Sequence, residues 1–208
     1  MKKSQTSHLA LLAGLVAVFA WSGWHPADRL TWWLEIFPGL AGLIVLLSIY
    51  GRFKFTTLCY LLIALHITIL CIGGHYTYAR EPVFDWLRTT FGWQRNHFDR
   101  LGHFAQGFVP AMITRELFVR LKVLNRARWL PFLVICVCLA ISAAYELIEW
   151  WTAAISGDAS VSFLATQGDV WDTQKDMFMA LIGASCALVF LSRLHNRALA
   201  RLEQVDER

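Results

Sequence analysis

Along this chain, apolar residues arrive in blocks close to the ~20 residues that an α-helix needs to cross the hydrocarbon of a bilayer. Three blocks are plain: 9–24, 34–50 and 55–73. A fourth, 129–151, is apolar apart from Glu146 and Glu149 near its end, and a fifth, 171–194, opens on polar residues. The stretch 98–119 carries Asp99, Arg100, His103, Gln106, Arg115 and Glu116, so hydropathy alone scores it weakly. With that stretch counted as a crossing, the pattern predicts an all-α, polytopic membrane helix bundle of about six transmembrane helices, in a single transmembrane domain over 1–208.

Charge supplies the reason to count it. Lys and Arg gather in cytoplasmic loops, and six crossings put Lys2, Lys3, Arg52, Lys54, Arg115, Arg120, Lys122, Arg126, Arg128, Arg193, Arg197, Arg201 and Arg208 on one side. These are thirteen of the nineteen basic residues. The opposite face keeps six basic residues against eleven acidic ones, so the net +4 divides into +9 inside and −5 outside. Both termini are therefore expected in the cytoplasm, in the cytoplasmic (inner) membrane of a bacterium. Composition agrees: 57% of residues are hydrophobic and 16% charged, against the ~25% charged of a soluble domain. Nucleic acid is excluded as a partner, because the arginines flank spans and form no stripe with interleaved aromatics; membrane lipids are the expected surroundings.

Lys2 and Lys3 before an apolar run, with small residues Val18 and Ala20 near its end, imitate a secretory signal peptide, although the five later spans insert whether or not the first is retained. Tryptophans at span edges, among them Trp21, Trp24, Trp32, Trp33, Trp129, Trp150, Trp151 and Trp171, suit headgroup belts. The connection 76–96 alternates aromatic and charged residues, as an amphipathic segment in the interface plane does. The connection 152–168 is small and polar and reads as an outer loop or lid. Cys59, Cys71, Cys136, Cys138 and Cys186 lie in apolar spans with no zinc or disulfide spacing and read as small buried side chains. There is no phosphate-binding glycine loop, nucleophile elbow or internal repeat.

The informative residues are those that hydrocarbon excludes. Asp99, His103 and Gln106 follow at i, i+4 and i+7 and share one helix face; Ser142, Glu146 and Glu149 repeat that spacing. Asp169, Asp172 and Asp176 form a third stripe, with Gly183 further along where a neighbouring helix can pack closely. On the six-span topology all lie in the outer half. Asp99, Glu149 and Asp172 sit near the surface, and His103, Glu146 and Asp176 sit one turn, ~5 Å, deeper. An ionised carboxylate in a membrane costs ~3 kcal/mol on insertion scales, so the stripes are expected to face one another and to need compensation. One form is a divalent metal such as Zn, Mn or Fe on His103, Glu146 and Asp176, with Asp99 nearby. The other is an ion-pair network in which Arg100, Lys175 and Arg80 neutralise the acids.

The segments FDRLGHFAQGFVPAMITRE, ISAAYELIEWWTA and GDVWDTQKDMFMALIGA resemble the YjdF family of bacterial inner-membrane proteins over nearly the whole chain. More remotely, the region from Asp99 to Gly183 is similar to VanZ-like proteins. There, Asp99, His103, Phe104, Glu146, Asp176 and Gly183 occupy the matching positions, whereas Glu149 replaces a glutamine and Trp171, Asp172 and Thr173 replace an arginine and serine region. The resemblance implies a multi-pass inner-membrane protein and supplies no reaction.

From the residues themselves, three functional classes are expected. The leading one is a metal-dependent enzyme acting at the outer face on a lipid-linked or envelope substrate. In it His103, Glu146 and Asp176 hold the metal, Asp99 or Glu149 serves as general base, and Lys175 or Arg80 steadies an anionic headgroup. Ser142 is expected to bond a backbone carbonyl and not to act as nucleophile. A proton- or cation-coupled transporter would use the same acids but needs polar steps on both sides of the membrane, and only His66 offers one mid-span. A structural factor would use the cluster for packing alone. Glu116, at the cytoplasmic end, is expected to be passive, its neutralisation without consequence. The topology is tested by reporters: a fusion after Arg208 or within 120–128 should report cytoplasm, and insertions near Asp85 or Asp158 the outside. Reversed signals would overturn the orientation.

Overall fold

The computed structural model describes residues 2–156 and 166–206, and within them forms seven α-helices and no strand. They are α1 (Lys2–Gly23), α2 (Arg29–Ile49), α3 (Thr57–Tyr76), α4 (Pro82–Phe91), α5 (Phe98–Arg120), α6 (Leu130–Ser156) and α7 (Asp172–Asp206). Five of them, α1, α2, α3, α6 and α7, are long and apolar enough to cross a membrane. The 23 residues of α5 rise about 35 Å, also enough to span, but its composition is polar because it is the helix the others surround.

Local chemistry sets the boundaries. The Asp28 carboxylate accepts from the Thr31 N–H at 2.7 Å and starts α2, which holds that carboxyl below the usual range; Thr56 caps α3 by accepting from the Cys59 N–H. Glu81 caps α4, Pro82 occupies its first turn, and Gly92, with φ +67°, closes it in the left-handed conformation that glycine adopts without strain. In α4 no residue is buried, and Val83, Trp86 and Phe91 are exposed, as suits a helix lying at an interface.

α5 is packed by α3, α6 and α7, and its buried middle residues Val109, Ala111 and Met112 join Cys59, Ile63, Val134, Ala184 and Ala187 in the principal core. Outward positions such as Val16, Phe37, Ile44, Leu61, Phe132 and Phe190 are exposed and apolar, the distribution a bilayer solvent requires. Two expectations need correction. Trp32 is buried, and its indole N–H donates to the Ser22 hydroxyl at 2.9 Å instead of staying wet. Cys136 is exposed on the outside of α6, whereas Cys59, Cys71 and Cys138 are buried. The supposed outer loop begins later than its composition suggests, since α6 continues to Ser156; of the rest, 157–165 lie outside the described residues. Gln167 is fastened to the turn before α5, accepting from the Asn96 N–H at 2.8 Å and donating to the Asn96 carbonyl at 2.9 Å.

α5 and α7 run parallel and touch backbone to backbone. A Cβ on Gly107 would lie 1.9 Å from the Ala180 carbonyl oxygen, and one on Gly183 2.1 Å from that of Phe104. Neither neighbour is a flexible side-chain end, so a methyl there must push the helices apart. We expect Gly107→Ala and Gly183→Ala each to lower stability in detergent by about 2 kcal/mol or more, read by thermal melting. Gly42→Ala, which meets nothing within 4 Å, should cost nothing. Equal melting of all three would show that the contact does not hold the bundle.

Candidate functional site

The helical spacing of α5 places Asp99, His103 and Gln106 on one face, and the fold sets that face against α6 and α7. The His103 Nδ1 and the Gln106 side-chain oxygen are 3.0 Å apart, so Nδ1 carries the proton and donates, leaving Nε2 to face the acids. Around Nε2 lie Asp99 Oδ1 at 3.5 Å, Glu146 Oε1 at 3.8 Å and Asp176 Oδ1 at 3.9 Å. All four side chains are buried. The three polar stripes therefore meet, and Asp99, His103 and Asp176 present ligand atoms within 4.8 Å of one another. Among the described residues, Glu146 Oε1 and Ser142 Oγ are buried without a hydrogen-bond partner. Ser142 thus departs from the expected backbone bond, which Thr68, Ser185 and Ser192 do make on their own helices.

Compensation comes from two arginines. Arg100 donates to Asp176, to Asp172 at 2.6 Å and to Asp169 at 3.2 Å. Arg95, in the turn before α5, pairs with Asp172, with Asp99 at 3.1 Å and with Asp169 at 3.5 Å. Arg95 had drawn no attention in the sequence, because it sits in a connection and on no helical stripe. Lys175 and Arg80 do not share the task. The Lys175 side chain is 53% exposed and turned outward onto Asp169 at 2.6 Å, where with the Trp171 N–H it holds that carboxyl below its usual range. Arg80 is exposed. Neither side chain stands beside His103, where the sequence had placed a role of steadying a headgroup: Lys175 is held on Asp169 and Arg80 faces outward.

On the other side of His103 lies a cavity of about 420 Å³ between α2, α3, α5 and α6. Its lining is mostly apolar, with a few polar groups contributed by Glu35, His66, Tyr78, Asp99, His103, Gln106, Tyr145 and Glu149. The Tyr145 hydroxyl donates to Glu35 Oε2 at 3.4 Å across the gap between α6 and α2. At the rim Phe37, Ile141 and Ile148 are exposed, so the cavity opens sideways, where lipid stands. Glu35 escaped notice in the sequence as a lone carboxylate in an apolar block; its position near the start of an inward-running span was the available signal. A second groove, among α1, α2 and α3, is lined by leucines together with Gln5, His8, Tyr50 and Tyr60, and its His8 is already bonded to the Tyr50 and Thr57 hydroxyls at 2.9 and 3.1 Å.

The opposite end of α5 holds a second buried network, and here Glu116 is corrected from a passive residue to a hub. It is fully buried. It accepts from the Thr56 N–H at 2.8 Å, the Thr56 hydroxyl at 2.7 Å, the Cys59 thiol at 3.2 Å and Arg120 at 3.0 Å. Arg115 donates to His195 Nδ1 at 2.9 Å, so His195 Nε2 carries the proton and donates to Glu116 at 3.0 Å. Cys59, Glu116 and His195 are close enough to hold an ion, but their donors and acceptors are already matched to one another, as in a lock between α3, α5 and α7. The apolar layer of Val109, Met112, Val134, Ala184 and Ala187 separates the two networks.

A family model described as "Predicted membrane protein (DUF2238)" matches residues 7–197. The inner membrane protein YjdF of Escherichia coli (strain K12) is 47% identical over 187 residues, covering 90% of each chain. No solved structure matches. The VanZ-like likeness rests on its short motifs alone. Because Glu116 is the acceptor for four other residues, Glu116→Gln should lower the melting temperature in detergent, with a loss of about 3 kcal/mol for breaking a buried pair. Asp85→Asn, on the surface of α4 with 47% side-chain exposure, should leave it unchanged. An unshifted Glu116→Gln would return that residue to the passive role.

Proposed function

The chain belongs to the DUF2238 family of predicted membrane proteins and is a multi-pass inner-membrane protein; on that footing we propose that it is a divalent-metal-dependent enzyme acting on a lipid-linked substrate in the outer leaflet. The observation that carries the reading is the set around His103 Nε2. Three carboxylate oxygens stand 3.5 to 3.9 Å from it, and one of them, Glu146 Oε1, is buried with no hydrogen bond. Of these, Asp99, His103 and Asp176 present ligand atoms within 4.8 Å of one another, whereas Glu146, 3.8 Å from Nε2, stands further than that from at least one of the others and would have to shift towards a shared ion; a ligand set of imidazole with carboxylates suits Zn, Mn or Fe. A buried acceptor without a donor is costly, and a cation is one group that would satisfy it.

Each residue then has a separable task. Gln106 fixes the imidazole tautomer so that Nε2 is the ligand atom, as partners of metal-binding histidines do. Arg95 and Arg100 hold Asp99 and Asp176 in place. Glu149, which lines the cavity and lies outside the ligand set, remains as the general base, while Asp99 is tied to Arg95. A bound ion would supply a water of lowered pKa. The cavity beside this set admits a polar head from a side that faces hydrocarbon. Against a transporter stands the apolar layer between the two networks, since a path for ions wants polar steps throughout. Asp169 and Asp172, fully engaged with the arginines, serve helix packing, and there the structural reading has its support.

Elemental analysis of protein purified in non-ionic detergent without chelator should find close to one Zn, Mn or Fe per chain. His103→Ala, Glu146→Gln and Asp176→Asn should lose it while remaining folded, and Glu149→Gln should keep it. Metal-free wild-type protein that stays metal-free after equilibration with these ions, together with a raised melting temperature in Glu146→Gln and Asp176→Asn, would leave only the packing role.

A further inference from the structure

The cavity beside His103 carries a charge pattern that selects among head groups. We infer that it binds an amphiphile with a primary ammonium head, taken sideways from the membrane between α2 and α6. The inference rests on the reading above in placing a substrate in this cavity, and names its class.

Three carboxylates from three helices face the space: Glu35 of α2, Asp99 of α5 and Glu149 of α6. Among the described residues, no lysine or arginine lines it. Of the two nearest arginines, Arg100 is engaged with Asp169, Asp172 and Asp176; Arg95 pairs with Asp169 and Asp172 and also with Asp99 at 3.1 Å, which leaves Glu35 and Glu149 as the two carboxylates here to which no arginine is paired among the described residues. Lys175 points outward. His103 also lines the space, but its Nε2, and any ion held there, is ringed by Asp99, Glu146 and Asp176, so a phosphate or sulfate head would add negative charge beside Glu35 and Glu149 in a setting of low dielectric, which is unfavourable. An ammonium brings three N–H donors and no acceptor, the complement of the few carboxylates set in this mostly apolar lining. The rings of Tyr78 and Tyr145 border the same space and offer faces to a cation.

The remainder of the ligand is defined by the rim. Phe37, Pro38, Ile141 and Ile148 are apolar and exposed, and they stand on the outer surface of α2 and α6, where hydrocarbon lies. A tail extending past them stays in acyl chains and crosses no water. The volume, about 420 Å³, suits a head group and the first carbons of a chain and not a whole lipid, consistent with a tail left in the membrane. Lipid and free amine share the ammonium chemistry, but only the lipid uses this rim.

Binding of dodecylamine, dodecyl phosphate and ethanolamine to the full chain in non-ionic detergent tests this, measured by titration of tryptophan fluorescence at equal mole fraction in the micelle. The alkylamine should bind at least about tenfold more tightly than the alkyl phosphate, the difference of one charge-assisted hydrogen bond, and ethanolamine should bind far more weakly than either. Glu35→Gln, which touches no proposed metal ligand, should cut alkylamine affinity by about tenfold and leave metal content unchanged. Should that variant melt early, Tyr145→Phe, lacking the hydroxyl on Glu35, should shift the same preference. Equal or tighter binding of the phosphate overturns the inference, as does ethanolamine binding as well as the alkylamine. Metal-free protein that still prefers the alkylamine would remove the enzyme reading and keep this one; metal-bearing protein without the preference would do the reverse.

Discussion

The backbone contact between α5 and α7 is the constraint from which the other features follow. Only two glycines make it possible: Gly107 against Ala180 and Gly183 against Phe104. In a bilayer, lipid tails compete on equal terms with apolar side chains, so helices associate through close van der Waals packing and buried polar bonds. The glycines supply the first and thereby position the second. Above them Arg100 reaches Asp172 and Asp176; below them Arg115 reaches His195 and Asn196 at 2.9 and 2.6 Å. A helix pair held a few ångströms further apart would leave each of those charges inside a membrane without its partner.

The consequence is a bundle polar within and apolar without, with its polar groups sorted into two layers. The His103 layer mixes satisfied and unsatisfied groups: two arginines neutralise the α7 aspartates, while Glu146 Oε1 and Ser142 Oγ find no hydrogen-bond partner among the described residues. In the Glu116 layer each acceptor has its donor. Buried ion pairs add little net stability over well-packed apolar residues, but losing one partner is costly. Their value here is to fix which helix faces meet. A network fully matched to itself has finished its work on folding. One in which a buried carboxylate oxygen, Glu146 Oε1, has no hydrogen-bond partner among the described residues has capacity left for something outside the chain.

The sequence made much of this legible, for identifiable reasons. Span length announces itself as apolar blocks because hydrocarbon tolerates few charges. The stripes on α5, α6 and α7 were readable because spacings of four and three residues return a side chain to one face, and intramembrane charge on three faces has nowhere to go but inward. Glu35 and Arg95 were not, since a single carboxylate has no periodicity and a residue in a turn has no face. Glu116 was misread because it stands beside Arg115 and Arg120, where a run of charge resembles a solvated helix end; only the fold reveals Thr56 and His195 closing over it. Lys175 was the opposite error. Its neighbour Asp176 is buried, whereas the Lys175 side chain is 53% exposed and reaches outward to Asp169.

The helices that border the cavity are held unequally, and this separates rigidity from access. α5 and α7 are fixed by glycine contact and by ion pairs at both ends, and α6 is packed on each of them. α2 packs chiefly on α3, with Gly39 and Gly74 bringing the two together. It faces α6 across the cavity, where a Tyr145 to Glu35 hydrogen bond at 3.4 Å bridges them. The ligand set therefore lies on the tightly held side, as chemistry that depends on sub-ångström placement requires. The wall that a membrane molecule must pass lies on the other, where the Tyr145 hydroxyl bonds Glu35, one of the groups facing the cavity, at 3.4 Å. A ligand that engages Glu35 competes for that bond, so on this arrangement occupancy of the cavity and separation of α2 from α6 are coupled through one carboxylate.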